Sequence, residues 1–472
     1  MTISPFVKPV LTVLTAQQME QVHSYSLNIL SRVGIRVDSP EGLALFAQAD
    51  GAQIDGERVK LSPELVNWAL KSAPSTIEIY DRNGKQAFTA GDGQAHFGVG
   101  VTNLFYQDPQ TDRLSSFARE HMASGTRLAN TLPAFELVST LGIINDVEPE
   151  ESELYSVLEM AANTIKPLVI LNSDPTQFAA SLDLLESLGE FKSMPWVIPY
   201  FNPVTPLIIN RETCDKMITT IHRGLPFIFS NYGMAGTSTP ITAGGTLAVL
   251  NAELLAGLVL SQLVKAGAPV ILGSLPAFFD MKNMTDFYDP QTILLNSAEA
   301  EMLAFYGLPH AGTSGSGLGW SADLPSAGMH WLNHLTAIIG KTGLAPFVGG
   351  SLGSKAFSPT SVVYANDIIL QARYFAAGFA LNNDTVNIEE IESIGPGGNF
   401  LMAKSTRQNF RNAYYTSNLF PRLSLEKWVQ KDYPQATDIL RQETTRLLST
   451  IQPPQDHDTI ISLGEDFIRR LG

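Results

Sequence analysis

The sequence predicts a (β/α)8 barrel, or TIM barrel, because short apolar segments alternate with longer helical windows along most of its 472 residues. From Gly91 onward, eight apolar segments are each followed by a window with helical periodicity. Such alternation is typical of parallel strands with crossover helices, and eight such units close into a barrel. The alternative is an open doubly wound sheet. It is less favoured because no Gly-x-Gly-x-x-Gly motif opens a helix after the first strand.

Residues 1–90 are expected to form a helical N-terminal segment packed on the barrel. Thr15 has the position of an N-cap before an amphipathic helix, and Gly34 is placed to end that helix. Further helices are predicted over 40–49 and 63–72, with a short alternating strand at 57–61 between them.

The barrel itself is expected to span 91–385, and a C-terminal helical extension to span 386–472. The predicted strands are 95–101, 135–144, 167–172, 196–201, 227–231, 270–274, 310–314 and 347–350. The predicted helices are 115–130, 154–165, 178–188, 212–223, 246–266, 292–306, 327–341 and 362–381.

Composition limits the class of protein. The first ten residues lack the apolar core of a signal peptide, so a cytoplasmic location is expected. The single cysteine, Cys214, allows no intramolecular disulfide and no cysteine metal cluster. The net charge of −15 argues against nucleic acid as a partner. It is compatible with a cationic substrate, and equally with the need for solubility alone.

The active site of a barrel lies at the carboxyl ends of the strands. In this sequence those ends carry mostly amides, hydroxyls, glycines and aromatic rings, with few strong bases. After the sixth strand come Asp280, Asp286 and Asp289, which form either an acidic rim or a solvated loop. His330 and His334 lie one helical turn apart, an arrangement that suits either a zinc ligand pair or two packed side chains.

The segment 312–320 has four glycines in nine residues. Such a loop lets a ligand approach the backbone closely, so it could present a surface to a flat cofactor or substrate. An ordinary mobile loop is the alternative.

Several motifs, taken together and in order, resemble the trimethylamine methyltransferase family. They are the small-residue loop and apolar helix from Gly233 to Gly257, the turn Asn202-Pro-Val-Thr-Pro-Leu207, and the segment Gly395-Pro-Gly-Gly-Asn-Phe-Leu401. The N-terminal helix up to Leu30 is also similar to the opening helix of that family. The resemblance implies a TIM barrel that delivers a methyl group from an amine to cobalt(I) of a separate corrinoid protein.

Two positions differ from the family pattern. The segment 321–328, Ser-Ala-Asp-Leu-Pro-Ser-Ala-Gly, has no lysine where the trimethylamine enzymes of archaea carry pyrrolysine. In this respect the chain resembles the branch without pyrrolysine, which implies a quaternary amine substrate such as glycine betaine, proline betaine or carnitine. Asn399 stands where the family usually has histidine, which leaves the substrate open.

A quaternary ammonium suits this set of strand-end residues. Its leaving group is a neutral amine, so direct displacement needs no general acid, and aromatic faces bind the cation. The predicted substrate-binding residues are Phe97, Tyr200, Phe201, Asn202, Asn231, Tyr232, His310, Ser316, Trp320 and Phe347. The residues predicted to face the corrinoid are Gly312, Gly315, Gly317, Gly349, Gly350 and Asn399. Packing in the core is the alternative role for any one of these aromatic side chains.

The expected partners are a corrinoid protein that carries the cofactor, a small cationic quaternary amine, and further copies of the chain in a homo-oligomer. No resident metal and no tightly bound cofactor are expected. Two other functions are compatible with the sequence. One is a barrel that binds the quaternary amine without transferring a methyl group, and the other is a hydrolase or lyase that uses His310 and Asp174 without a corrinoid.

Overall fold

Eight parallel strands close into a barrel, which confirms the predicted fold class. The computed structural model describes residues 6–191, 193–313, 315, 317 and 319–471. The barrel strands are β1 His96–Val99, β2 Leu137–Ser139, β3 Leu168–Ile170, β4 Val197–Phe201, β5 Phe227–Ala235, β6 Val270–Asp280, β7 His310–Ala311 and β8 Leu344–Val348. Each strand pairs with the next in parallel, and β8 pairs with β1 to close the ring.

A helix follows each barrel strand, at the position predicted from the periodicity. The barrel helices are α1 Arg119–Thr131, α2 Ser152–Asn163, α3 Pro175–Leu188, α4 Arg211–His222, α5 Ala243–Val264, α6 Pro290–Tyr306, α7 Leu324–Ile339 and α8 Pro359–Ala377. Several begin with a polar cap followed by proline. Asp174 accepts hydrogen bonds from two backbone N–H groups of α3, and Asp289 and Asp323 each accept one at the start of α6 and α7.

Helix α5 forms the centre of the outer core. By length and composition it could cross a membrane, but 83% of its apolar window is buried inside the fold. It packs between the barrel wall and the N-terminal helices. At Gly257 a Cβ atom would lie 2.2 Å from the Phe229 ring, so the close packing of α5 on β5 depends on the glycine.

The interior of the barrel is filled by inward-pointing side chains and closed at one end. A hairpin of Ile77–Tyr80 and Gln86–Ala90 covers the amino ends of the strands. Its apolar residues belong to the same core cluster as the barrel interior, which contains Leu137, Val169, Ile198, Tyr200, Ile228, Ile271, Ala311, Leu344 and Phe347. The sequence analysis did not predict this hairpin. Because it blocks the amino end, a ligand reaches the interior from the carboxyl end.

The N-terminal segment contains the three predicted helices, Ala16–Arg32, Pro40–Ala47 and Pro63–Ser72. Thr15 caps the first helix as predicted. The predicted strand is observed as Arg58–Leu61, in a sheet with three strands that were not predicted, Ile35–Val37, Ala52–Asp55 and Ile208–Ile209.

Additional short strands lie near the ends of the barrel. Phe6–Val7 pairs with Phe379–Ala380, and Thr285–Phe287 pairs with the end of β6. Near the carboxyl ends of the strands, Phe105–Gln107, Leu114–Ser116, Gly350–Ser351 and Ala356–Phe357 form a four-stranded sheet. After α8 come the short helices Asn383–Val386, Ile388–Ile394, Phe400–Met402, Lys404–Asn409 and Leu425–Gln430, and the longer helices Ala436–Thr450 and His457–Leu471. The division of the chain at residues 90 and 385 stays a prediction.

Candidate functional site

A cleft of about 680 Å³ opens at the carboxyl ends of β1–β4. Its barrel side is formed by Thr102, Thr140, Leu171, Tyr200 and Asn202, and its outer side by residues of α2, α3 and α4. This is the end of the barrel that the hairpin leaves open, and it is where barrel enzymes hold their substrates.

One lysine and one carboxylate lie together in this cleft. The Lys216 Nζ donates to the backbone oxygens of Asn172 (2.7 Å) and Ser173 (3.1 Å). The Glu153 carboxylate accepts from the backbone N–H of Ser173 at 2.6 Å. Burial lowers the pKa of Lys216 and raises the pKa of Glu153, while the attraction between the two charges opposes both shifts. The cleft therefore contains a partly desolvated pair of opposite charges.

Tyr200 lines the cleft from its barrel side and packs against Phe347 in the barrel interior. The two rings meet edge to face, with centroids 5.0 Å apart, and both side chains are buried in the barrel interior. The Tyr200 hydroxyl accepts a hydrogen bond from Asn202 Nδ2 (3.3 Å). Burial raises the pKa of Tyr200 to about 12, so the phenol stays neutral at physiological pH. The Asn202 side chain also donates to the backbone oxygen of Ser230 at 2.7 Å, which fixes its orientation.

Two more tyrosines and an aspartate lie beyond Tyr200, next to β5 and β6 and outside the lining of the cleft. The Tyr232 hydroxyl donates to the Asp286 carboxylate at 2.6 Å. Tyr288 interacts with the side chains of Tyr232 and Ser354, and Tyr200 is close enough to influence its pKa. Burial raises the pKa of both Tyr232 and Tyr288, the latter to about 12. We call Tyr200, Tyr232, Tyr288, Phe347 and Asp286 the mouth cluster.

The mouth cluster combines neutral aromatic rings with one carboxylate. Aromatic faces attract cations through their quadrupole, and a nearby carboxylate adds a Coulombic attraction. Of the substrate-binding residues predicted from the sequence, the structure brings together Tyr200, Asn202, Tyr232 and Phe347. Tyr288 was missed, because the prediction considered strand ends and Tyr288 lies on the loop between β6 and α6.

Asn231 points away from this cluster. It is fully buried, and its Nδ2 donates to the Leu250 backbone oxygen and to Glu253, both at 2.9 Å. Its Oδ1 accepts from Ser274 Oγ at 2.6 Å. These contacts occupy both polar atoms of the amide, so Asn231 joins β5 to α5 and β6. Its side chain does not face the cleft.

Three other predicted residues also face the helix layer. Phe97 packs edge to face on His334 and beneath the Arg373 guanidinium, and Phe201 packs on Phe178 of α3. Phe201 still borders the cleft. His310 pairs in register with Leu272, an outer-core residue, and burial lowers its pKa to about 3. A neutral, enclosed imidazole on the outside of the strand does not reach the barrel mouth.

The glycine-rich loop after β7 packs against buried side chains. A Cβ atom at Gly315 would lie 2.6 Å from His334 Cε1, and one at Gly317 would lie 2.9 Å from Tyr288 Cε2. At Gly312, an added Cβ would meet Asn296 of α6. These glycines therefore allow close packing of the loop, and Gly317 supports the mouth cluster directly. Ser316 lies outside the described residues.

The glycines after β8 have a similar role. A Cβ atom at Gly349 would lie 2.4 Å from the Val362 side chain, and Gly350 pairs with Phe357 in the small sheet near the mouth. Because Gly349 and Gly350 are engaged in these contacts, their backbone offers no open surface to the corrin ring. His330 Nδ1 and His334 Nε2, both on α7, lie 3.2 Å apart beside Gly315 of the loop after β7. His330 also packs on the Tyr364 ring.

Trp320 and Asn399 lie apart from the cleft. Trp320 is 69% exposed at the rim of the mouth, where its backbone oxygen accepts from Gln107. Asn399 lies on the surface of the C-terminal extension, and its side chain caps the short helix Phe400–Met402. Among the hydrogen bonds of the described residues, none joins Asn399 to the mouth cluster of its own chain.

Exposed apolar side chains surround the mouth. They occur on the loops that follow six of the strands and at the start of α7, and they are Leu104, Ile143, Val204, Ile241, Met281, Met284, Trp320 and Leu324. Scattered exposed apolar residues are normal on protein surfaces, whereas a ring of them around an opening marks a surface that meets another apolar surface. We call this set the apolar rim.

Comparison with known proteins identifies relatives along the whole chain. The family model described as trimethylamine methyltransferase matches residues 5–471. A glycine betaine methyltransferase from Desulfitobacterium hafniense is 26% identical over 98% of this chain and 98% of its own length. A trimethylamine methyltransferase from the same species is 27% identical over 91% of this chain and 89% of its own length.

A solved structure shows the same fold. The monomethylamine methyltransferase of Methanosarcina barkeri superimposes with a TM-score of 0.51, over 98% of this chain and 88% of its own. Its sequence identity is only 9%, so this likeness concerns the fold alone.

Proposed function

The chain belongs to the trimethylamine methyltransferase family and is a methyltransferase, and from this premise we propose its substrate and its acceptor. We propose that it removes a methyl group from a quaternary amine, glycine betaine or a close relative, and transfers it to the cobalt of a corrinoid protein in the cytoplasm. The observation that carries this proposal is the mouth cluster, in which aromatic rings and Asp286 stand at the open end of the barrel.

The mouth cluster supports the choice of a permanently charged substrate. Each favourable cation–π contact contributes about 0.5–2 kcal/mol, the larger values applying where the cation is desolvated. The raised pKa values of Tyr200 and Tyr288 keep both phenols neutral over the physiological pH range, so their rings keep the same charge there. A trimethylammonium group needs no hydrogen-bond donor, which suits a wall built largely of rings.

Lys216 supports a carboxylate at the other end of the substrate. Two of its three N–H groups are engaged by the backbone oxygens of Asn172 and Ser173, and the ammonium borders the same cleft as Tyr200. We propose that the trimethylammonium lies against the mouth cluster while the substrate carboxylate points toward Lys216. This orientation would favour betaines over quaternary amines without an acidic group.

The methyl transfer requires the protein mainly to orient the substrate. When a methyl group leaves a quaternary ammonium, the C–N bonding pair stays on nitrogen and the product is a neutral tertiary amine, so no proton has to be delivered. The residues of the mouth cluster have to hold the cation, aim one methyl group outward and exclude water. None of the phenols has to act as an acid, which agrees with their raised pKa values.

The open end of the barrel fits a corrinoid that arrives on a partner protein. The apolar rim surrounds the entrance to the cleft, and the flat, largely apolar face of a corrin ring matches such a surface. When bound, the corrinoid supplies the cobalt(I) nucleophile that accepts the methyl group. Trp320 and Leu324, which are 69% and 88% exposed, are the rim residues that we propose meet the partner first.

The test is a methyl-transfer assay with the purified chain, a cognate corrinoid protein and a reducing system for cobalt. With glycine betaine we expect the spectrum of methylated cobalt together with dimethylglycine in equal amount. Binding of betaines by calorimetry without turnover in the complete assay would instead support a barrel that binds without transfer. Absence of both binding and turnover with glycine betaine, proline betaine and carnitine would reject the proposed substrate class.

The structure does not support the alternative in which His310 and Asp174 act together in a hydrolase or lyase. Asp174 caps α3 through the N–H groups of Thr176 and Gln177, and His310 faces the helix layer from β7. The two residues proposed for that chemistry are thus committed to different structural roles on different strands.

A further inference from the structure

The cleft at the ends of β1–β4 contains more negative than positive charge. Among the described residues that line it, the charged ones are Lys216, Glu153 and Glu212. Asp174, the next residue after the lining residue Ser173, caps α3. Burial lowers the pKa of Lys216, and all three carboxylates are close enough to oppose that shift. One ammonium group therefore interacts with three carboxylates before a ligand enters the cleft.

A substrate carboxylate that points toward Lys216 adds another negative charge to this group. Carboxylates that share a site do not all stay ionised, because each negative charge raises the pKa of its neighbours. Neutralising one of the protein carboxylates removes the repulsion and leaves the attraction of Lys216 for the substrate. The carboxylate that gains a proton most easily is the one whose charge is already least stabilised.

Glu153, at the start of α2, is the carboxylate that best meets this condition. Its Oε1 accepts from the backbone N–H groups of Ser173 at 2.6 Å and Asp174 at 3.3 Å. Its Oε2 is buried, and none of the described residues forms a hydrogen bond to it. Burial raises the pKa of Glu153, although the two N–H groups, the Asn172 side chain and Lys216 oppose the shift. A proton on Oε2 would give this oxygen a group that can donate to a bound carboxylate.

The other two carboxylates are better stabilised as anions. Asp174 accepts from the N–H groups of Thr176 and Gln177, both at 2.8 Å, at the start of α3 where the helix dipole favours negative charge. Hydrogen bonds from its own backbone N–H and from the Asn210 amide lower the pKa of Glu212. Both residues are exposed, whereas Glu153 is half-buried, so water screens their charges more effectively.

On the basis of the proposed function, on which this role depends, we propose that Glu153 is a binding residue for the substrate carboxylate and takes up a proton from solvent when that carboxylate binds beside Lys216. Lys216 attracts the substrate carboxylate through its charge, and the neutral carboxyl group of Glu153 donates a hydrogen bond to it. The only covalent bond that forms is the O–H bond of Glu153, and the proton returns to solvent when the ligand leaves. Glu153 thereby helps to select amines that carry a carboxylate.

Binding that is coupled to proton uptake depends on pH with a defined sign. Between the pKa of Glu153 in the free chain and its higher pKa in the complex, the affinity for a betaine weakens as the pH rises. The change is up to about tenfold for each pH unit when one full proton is taken up. Below the pKa of the free chain Glu153 already holds its proton, so the affinity is constant there.

The experiment is titration calorimetry of the full chain with glycine betaine, in pairs of buffers that differ in their enthalpy of ionisation. The difference in heat between the buffers measures the protons taken up for each betaine bound. Between about pH 6 and pH 8 we expect net uptake of up to about one proton. The amide of glycine betaine keeps the trimethylammonium group and lacks the carboxylate charge, so its binding should take up no proton.

Glu153→Gln keeps the size of the side chain and removes its titration. We expect this variant to bind glycine betaine without proton uptake. At the upper end of the pH range it should bind about tenfold more tightly than the wild type, which is the affinity equivalent of one pKa unit. A damaged fold would weaken binding, so this gain separates the proposed role from a structural one. The matched control is Glu212→Gln, which removes a carboxylate from the same lining and should keep the proton uptake of the wild type.

The outcomes distinguish this role from the proposed function. Betaine binding without proton uptake in the wild type would overturn the role of Glu153 and leave the proposed substrate class intact. Uptake that persists in Glu153→Gln would assign the proton to Lys216 and would overturn it as well. Absence of betaine binding in the wild type would contradict both. If Glu153→Gln does not fold, the comparison of glycine betaine with its amide on the wild-type chain still decides whether the substrate carboxylate brings a proton with it.

Discussion

At the scale of single residues, Tyr232 is the side chain that best separates cation binding from packing. Replacing it with leucine keeps an apolar side chain but removes the ring and the hydroxyl that holds Asp286. We expect Tyr232→Leu to raise the KM for glycine betaine about 5- to 30-fold, which corresponds to the loss of one cation–π contact of about 1–2 kcal/mol. Steady-state kinetics of methyl transfer measure this change.

Tyr232→Phe is the matched control, because it keeps the ring and removes only the hydrogen bond to Asp286. It should raise the KM less than the leucine variant does. An unchanged KM in a folded Tyr232→Leu enzyme would show that Tyr232 is a packing residue.

Asn231 should behave in the opposite way, although it is adjacent in sequence. Replacing it with alanine removes the acceptor of the Ser274 hydroxyl and one of the three hydrogen bonds that the buried Glu253 carboxylate accepts. We expect Asn231→Ala to lower the free energy of unfolding by about 1–3 kcal/mol and to leave the affinity for betaine unchanged. Chemical denaturation and calorimetry measure the two quantities. Weaker betaine binding with unchanged stability would place Asn231 in the substrate site instead.

The roles of these residues could be predicted from the sequence only in part. Strand ends were located correctly, and this identified Tyr200, Asn202 and Tyr232. Which side chains point inward follows from the alternation along a strand, which puts Ile228 and Tyr232 on one face of β5 and Phe229 and Asn231 on the other. The prediction did not apply this rule, and Asn231, Phe97 and His310 were included for that reason. Glu153 and Lys216 were missed because they lie on helices, where the sequence pattern gives no sign of the cleft.

At the scale of secondary-structure elements, helix α6 carries a buried carboxylic acid that makes stability depend on pH. Glu299 is 1% exposed, neither of its carboxyl oxygens has a hydrogen-bond partner, and burial raises its pKa from 4.5 to about 8. Between these pH values the folded chain holds a proton that the unfolded chain has lost. Its contribution to stability is therefore fully present below pH 4.5 and decreases as the pH rises toward 8.

Glu299→Gln removes this titration while keeping the shape of the side chain. We expect the variant to gain stability over the wild type by about 1.4 kcal/mol for each pH unit between pH 5 and pH 7. Denaturant unfolding of both proteins across this range measures the difference, in which the titration of other groups cancels. A difference that does not vary with pH would mean that Glu299 is ionised in the folded chain.

The order and type of the barrel elements were the most predictable part of the structure. Each of the eight strand–helix units combines a short apolar run with a longer amphipathic or apolar window, and these local patterns agree with the global fold. The hairpin 77–90 was not predicted, because its two strands are short and partly polar and become a plug only through contact with the barrel interior. The register between β8 and β1 shifts between Ala345 and Val348, and Phe347 in this irregular stretch points into the barrel interior. The periodicity of the sequence does not indicate such a shift.

At the scale of the whole molecule, the two ends of the barrel have different roles. The carboxyl end holds the mouth cluster, the cleft and the apolar rim, and the amino end holds the hairpin. Because the hairpin blocks the amino end, we expect a corrinoid protein to approach the substrate from the carboxyl end.

The most direct test of the central claim compares a quaternary amine with its own demethylated product. Glycine betaine and dimethylglycine differ by one methyl group, and only the first carries a permanent positive charge with a neutral leaving group. With the purified chain, a reduced corrinoid protein and each amine in turn, we predict methylated cobalt from glycine betaine and no methylation above background from dimethylglycine. Equal methylation from both amines, or methylation from dimethylglycine alone, would contradict the account.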